Sequence, residues 1–319
     1  MKFFISGGAG FIGSHFVDYL LSKKHKVIVY DDLSLGKKEN ISKHFKNKSF
    51  KFIKGNILNL KKLSSHMKGS NAVIHLAANS DIVKSSQNPK IELKNGTIAT
   101  YNILEAMKKN NLKEILFTSS SVVYGEVKKL PIKENYGPLF PISFYGSSKL
   151  SSESLISSYC HNYAMKAWIF RFANVVGPRL THGIIYDFFS KIKKNKNKLL
   201  VLGDGNQAKP YIHVNDIVSA VYYIYQNKKK EINFYNLATD GNTKVKYIAK
   251  KFINFMGLKK TKIIFKGGKR GWKGDVPRVK LDNLKLKHTG YKFKFLNSND
   301  AFSFGMKQAL NELNKNKII

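Results

Sequence analysis

The residues GGAGFIG, at positions 7–13, follow the apolar run KFFIS and open the amphipathic stretch FIGSHFVDYLLSK. A strand, a glycine turn and a helix in that order constrain the chain more than any other feature. Small residues at Gly7, Gly10 and Gly13 let the backbone turn tightly and approach a pyrophosphate closely. The N-terminus of the following helix supplies unpaired N–H groups and a positive dipole end for the anion. About 20 residues on, the next strand candidate, KVIVYD, ends in Asp31, with Asp32 beside it as an alternative. A carboxylate there accepts hydrogen bonds from a ribose diol and repels a 2′-phosphate, which favours NAD over NADP.

The rest of the first half repeats the rhythm. FKFIKG, AVIHLA and EILFTS read as strands, while LKKLSSHM, ATYNILEAMKK and SSKLSSESLISSYCHNYA carry apolar residues at helical spacing. WIFRFANVV reads as a further buried strand. This alternation predicts an α/β fold, a Rossmann-type doubly wound parallel sheet over residues 1–175. After that the pattern loosens, with helical GIIYDFFSKIKK and IVSAVYYIYQ and a basic, glycine-rich GGKRGWKGDVPR. Residues 176–319 are expected to form a smaller α/β substrate domain, the chain crossing between the two.

The net charge is +36, and all but four of the 56 basic residues are lysine. One reading is nucleic-acid binding; the other is a lysine-biased composition. The lysines are spread along the chain without an aromatic-interleaved patch, which favours the second reading and no nucleic-acid partner. The four arginines, Arg171, Arg179, Arg270 and Arg278, then become informative, because arginine offers phosphate a planar fork that lysine lacks. A single cysteine, Cys160, excludes an internal disulfide and points to a reducing, cytoplasmic compartment. No apolar run approaches the ~18 residues of a membrane span, and His15 and Asp18 argue against reading the N-terminus as a signal peptide. No cysteine-pair or HExxH spacing suggests a metal.

FYGSSK places Tyr145 four residues before Lys149, on one face of a helix, and Ser120 ends the fifth strand candidate 25 residues earlier. A phenol is a poor base at neutral pH, with an ordinary pKa of roughly 10. A neighbouring ammonium and a positive nicotinamide ring would lower it. Ser120 and Tyr145 could then hold one substrate alcohol, Tyr145 taking its proton while hydride leaves the carbon for NAD.

These residues, with the VIHLAA strand, Asn95, TSSSVVYG, RFANVVGPR, GDGNQAKPYIHVND and RGWKGDVP, resemble the extended short-chain dehydrogenase/reductases that act on nucleotide sugars, closest to the UDP-glucose 4-epimerases. The resemblance covers almost the whole chain. It implies Ser120, Tyr145 and Lys149 as the catalytic set, Lys149 also holding the nicotinamide ribose. Phe11 and Ile12 would meet the pyrophosphate through their backbone, Asn56 and Ile57 would lie by the adenine, and Leu76, Ala77, Ala78 and Asn95 would line the cofactor. Asn174 would meet the sugar-nucleotide phosphates. Lys209 stands where the family commonly has arginine, and Ser80 where some 4-epimerases carry a lysine near the sugar. Arg270 is the first candidate fork for the diphosphate and Arg278 the second, while Arg179 is either a ligand or structural. The family's helix pair corresponding to ATYNILEAM and YGSSKLSSESLISSY implies a homodimer.

The related 4,6-dehydratases carry Asp-Glu after the position of Ser120; here Ser121 and Val122 follow, which argues against elimination of water. The expected activity is NAD-dependent 4-epimerisation of a nucleotide sugar, a UDP-hexose first, with hydride returned to the opposite face. Alternatives are a C4 dehydrogenase that releases the 4-keto sugar and, from another class, a nucleic-acid-binding Rossmann protein driven by charge.

Overall fold

The computed structural model describes residues 1–79, 82–272 and 274–315, the side chains of 82–84 excepted. The first half forms β1 (Lys2–Ser6), α1 (Phe11–Ser22), β2 (Lys26–Asp31), β3 (Phe50–Lys54), α2 (Leu60–Met67), β4 (Ala72–His75), α3 (Ile82–Gln87), α4 (Lys90–Glu92), a π-helical turn over Leu93–Ile98, α5 (Ala99–Lys109), β5 (Glu114–Ser120), α6 (Phe144–Tyr163) and β6 (Lys166–Phe172). There follow β7 (Asn174–Val176), α7 (Ile184–Lys194), β8 (Lys198–Val201), β9 (Ala208–Lys209), β10 (Tyr211–His213), α8 (Val214–Asn227), β11 (Ile232–Leu237), β12 (Thr243–Lys244), α9 (Val245–Phe255), β13 (Lys262–Phe265), α10 (Leu284–Lys287) and α11 (Ser298–Lys315).

Seven strands make one sheet in the order β11-β6-β5-β4-β1-β2-β3, and every pair in it is parallel. Such a sheet is covered on both faces, so its strands read as near-continuous apolar runs. Alternate side chains still separate: Phe3 and Ile5 enter the core shared with α1 and α8, while Phe4 enters the core shared with α2, α5 and α6. β11, which lies beyond residue 175, pairs with β6 in the main sheet.

WIFRFANVV is not one strand. Ala173 donates its N–H to Leu237 O at 2.9 Å, and the next residue, Asn174, donates to Pro210 O at 3.1 Å. The backbone therefore changes partner within one residue, leaving the main sheet for the β7–β10 pair. A third core, formed by α7, α9, α11 and the short strands β7, β8 and β10, fills the C-terminal part. Cys160 is buried in α6 and packs in the core between that helix and the sheet. Among the described residues, no helix is long and apolar enough to cross a membrane.

Candidate active site

In a parallel sheet all carboxyl ends face one edge, and ligands bind there where the strand order reverses. The reversal lies between β1 and β4. The glycine loop leaves β1 and Leu76–Ala78 leave β4, so the two segments flank it. A β-carbon on Gly13 would lie 2.2 Å from the Gly7 carbonyl oxygen, so the loop folds on itself only with glycine there. Gly10 is the N-cap of α1 and offers no side chain to its first turn. The first N–H groups of α1, Phe11 and Ile12 among them, have no intrahelical partner and suit a pyrophosphate.

Asp31 is more engaged than its place at the end of β2 suggested. Its carboxylate accepts Ala9 N–H at 2.9 Å and Leu33 N–H at 2.8 Å, fixing the glycine loop against β2. Burial raises its pKa. Two of its lone-pair directions remain for ribose hydroxyls. Asp32 accepts Ser34 N–H and, at 3.1 Å, the Asn56 amide, so Asp32 and Asn56 act together at this rim. Ile57 packs against the core, and its carbonyl accepts the Asn102 amide. Asn95 is exposed within the π turn. The residues present therefore fit NAD.

Ser120 ends β5, and its Oγ accepts Val122 N–H at 3.4 Å. Ser143 caps α6 by accepting Gly146 N–H, which sets Tyr145 in the first turn. Lys149, 4% exposed, donates to the Thr118 carbonyl at 2.7 Å and lies 5.7 Å from the centre of the Tyr145 ring. Burial pushes this ammonium down to about 8. In the protein without a bound dinucleotide, burial and then the carboxylate of Glu92 push Tyr145 up from its ordinary value. The lysine is spent on Thr118 rather than on the phenolic oxygen, so Tyr145 stands protonated in the protein alone.

Sequence reasoning missed the groups around this pair. Glu92, 2% exposed, accepts the Asn79 amide at 2.8 Å and the Ser148 hydroxyl at 3.0 Å. The only sequence signal was an acid three residues before Asn95 in a chain with 20 acidic residues in all. Buried His75 bridges Ser6 at 2.8 Å and Thr100 at 3.1 Å, and Thr100 meets Ser152 at 2.9 Å. Burial, then the Lys149 charge, pushes His75 down to about 3, so it is a neutral tie between strands and helices. Glu153 grips Arg171 through two hydrogen bonds of 3.0 and 2.7 Å, which makes that arginine structural.

The remaining arginines separate clearly. Arg179 pairs with Asp18 across the α1 surface. Arg270 is tied, one nitrogen donating to Glu126 at 2.8 Å and another to the Asp275 carbonyl at 2.6 Å. Lys209 pairs with buried Asp275 and lies 4.9 Å from the Trp272 ring centre. Arg278 is exposed and makes no ion pair among the described residues. Asn174 opens β7, immediately past the carboxyl end of β6. Ser80 lies outside the described residues. Among the described residues, no cluster of three or more His, Cys, Asp or Glu could hold a metal.

A glycine loop, a serine, and a tyrosine–lysine helix at one edge of the parallel sheet define an α/β protein of the dinucleotide-binding kind. The family model for the NAD dependent epimerase/dehydratase family matches residues 3–238. A protein of Methanocaldococcus jannaschii, provisionally named a UDP-glucose 4-epimerase, is 35% identical over 295 residues, 90% of this chain and 92% of its own. The dTDP-D-glucose 4,6-dehydratase of Dictyostelium discoideum is 33% identical over 269 residues, 79% of this chain and 62% of its own. Among solved structures, a UDP-glucose 4-epimerase with UDP-glucose from Thermotoga maritima superposes with a TM-score of 0.87 at 30% identity, covering 99% of this chain and 100% of the other. The chain belongs to the NAD-dependent epimerase/dehydratase family, and its cofactor is NAD.

Proposed function

We propose that the protein is a nucleotide-sugar 4-epimerase acting first on UDP-hexoses. The observation that carries this reading is the turn after β5. Ser120 is followed by buried Ser121 and by Val122, so no carboxyl group stands there to eliminate water from the sugar. The carboxylate that does lie near Tyr145, that of Glu92, is buried and already bonded to Asn79 and Ser148.

NAD, when bound, supplies the acceptor and then the donor of the C4 hydride. The glycine loop with Phe11 and Ile12 would hold its pyrophosphate, Asp31 and Asp32 its ribose, and Asn56 and Ile57 its adenine. Leu76, Ala77, Ala78 and Asn95 would line the nicotinamide half, with Lys149 on that ribose. Tyr145 takes the proton of the 4-hydroxyl and returns it, and Ser120 holds the same oxygen. Asn174, Lys209 and Arg278 would receive the sugar-nucleotide diphosphate, with Arg270 behind them.

Residues 176–319, less the strand and helix they return to the main sheet, are assigned to the substrate side. Exposed Ile98 at the end of the π turn, Tyr101 on α5 and Phe144 on α6 support a homodimer across these helices. One buried cysteine supports a reducing, cytoplasmic setting. Incubation with UDP-glucose and related nucleotide sugars, followed by product analysis, tests the activity. Inversion at C4 supports it; an accumulating ketone would instead mark a C4 dehydrogenase.

A further inference from the structure

We infer that Glu92 is the buried counter-charge of the catalytic helix, a positioning residue that fixes the pH range in which Tyr145 can take the substrate proton beside a charged Lys149. The inference rests on the assignment of Tyr145 as the proton acceptor. Three connections carry it. Glu92 is 2% exposed, and its two oxygens are divided between two elements of the site. One accepts the amide of Asn79, next to the cofactor-lining Leu76–Ala78. The other accepts the hydroxyl of Ser148, which stands between Tyr145 and Lys149 on α6, its Oγ also 2.9 Å from the Tyr145 carbonyl oxygen. Glu92 thus clamps the loop after β4 to the first turn of α6.

Among the described residues, the two groups bonded to the Glu92 carboxylate are neutral donors, and no ion pair is made with it. Lys149 carries the opposite charge close by, without forming a direct ion pair with it. The charged groups facing Lys149 are Glu92 and Glu153, with neutral His75 on β4; Glu153 is itself committed to Arg171. Among the described residues, Glu92 is the charge that faces Tyr145. The carboxylate therefore has two effects of one sign. It opposes loss of the proton from Tyr145, and it keeps Lys149 an ammonium against burial. Removing it lowers both pKa values. The phenol then ionises only when further positive charge enters the site, so proton abstraction is tied to the presence of the dinucleotide.

Glu92→Gln keeps the shape and can accept from Asn79 while donating to Ser148, so the clamp survives and the charge does not. Glu92→Asp keeps the charge and shortens the reach. Two readouts are compared. The first is the pH profile of kcat/KM. Both limbs should move to lower pH in Glu92→Gln, by roughly one unit, and stay in place in Glu92→Asp. The second needs no substrate. With NAD bound, the phenolate absorbance of Tyr145 is titrated as the difference between each protein and the same protein carrying Tyr145→Phe. Its midpoint should fall by a similar amount in Glu92→Gln. A rate lowered evenly at every pH, with the phenolate midpoint unmoved or unreached in both proteins, would overturn the inference and leave Glu92 a structural clamp. If the wild type turns over no nucleotide sugar while the midpoint still shifts, the substrate assignment fails and the role of Glu92 stands.

Discussion

Gly96 faces Ser148 so closely that a β-carbon added to the glycine would lie 2.6 Å from the serine's own β-carbon and 2.6 Å from its hydroxyl. The π turn and the catalytic helix meet there without room for a methyl group, and the same serine bonds Glu92. Gly96→Ala should therefore force α6 away from the π turn. The expected cost is about 1–3 kcal/mol of stability, read from denaturant unfolding. The loss of turnover should exceed what the remaining folded fraction explains.

Lys149 donates to the Thr118 carbonyl from a buried position. Lys149→Met removes that donor and the cation that lies 5.7 Å from the centre of the Tyr145 ring. Turnover should fall on the order of 10²–10⁴-fold, with NAD affinity also reduced. Single-turnover rates and NAD titration separate the two effects; a variant with near-normal turnover contradicts the assigned role.

His75 sets an acid limit on the fold. Its pKa is depressed from 6.5 to about 3 in the folded protein, so below 6.5 the unfolded chain binds a proton that the folded chain refuses. Stability contributed by the neutral ring is complete above 6.5 and is lost as pH falls toward 3. The slope is about 1.4 kcal/mol per pH unit for one such group. His15, pushed down to about 4 by burial and then Arg179, adds in the same direction. Urea midpoints measured down this range should fall steadily, and His75→Gln should flatten the curve. Equal slopes in both proteins would refute the assignment.

Arg278 and Arg270 differ in what already holds them. Arg270 is bonded to Glu126 and the Asp275 carbonyl, while Arg278 has no ion pair among the described residues. If Arg278 is the fork for the diphosphate, Arg278→Ala should raise KM for UDP-glucose roughly tenfold or more with kcat little changed. Arg270→Ala should have the smaller effect on KM and the larger effect on thermal stability. The reverse order would restore Arg270 as the ligand.

The sequence was most legible where one force dominates. β1, β2, β4 and β5 are buried on both faces, so hydrophobic burial alone wrote them as apolar runs. The glycine loop was legible because its geometry excludes side chains. β11 was not, because Asn233 and Asn236 interrupt its apolar pattern; both are buried, and Asn236 bonds Tyr124, Ile132 and Asp282 across the interior. At least seven of the 20 acidic residues are buried; Asp31 was legible from its place at a strand end, while Glu92 and Glu153 were invisible until their partners came near. The arginines show the same limit. Their scarcity marked them as special, but only three-dimensional neighbours separate Arg171, gripped by Glu153, from the open Arg278.

In the proposed reaction hydride leaves C4 of the sugar and returns to the same carbon from the other side while Tyr145 handles the proton. UDP-glucose labelled with deuterium at C4 tests this most directly. The prediction is a UDP-galactose product that keeps the deuterium at C4, formed without free ketone and abolished by Tyr145→Phe in a folded protein. Loss of the label to solvent, release of a 4-keto sugar, or undiminished turnover in Tyr145→Phe would contradict it.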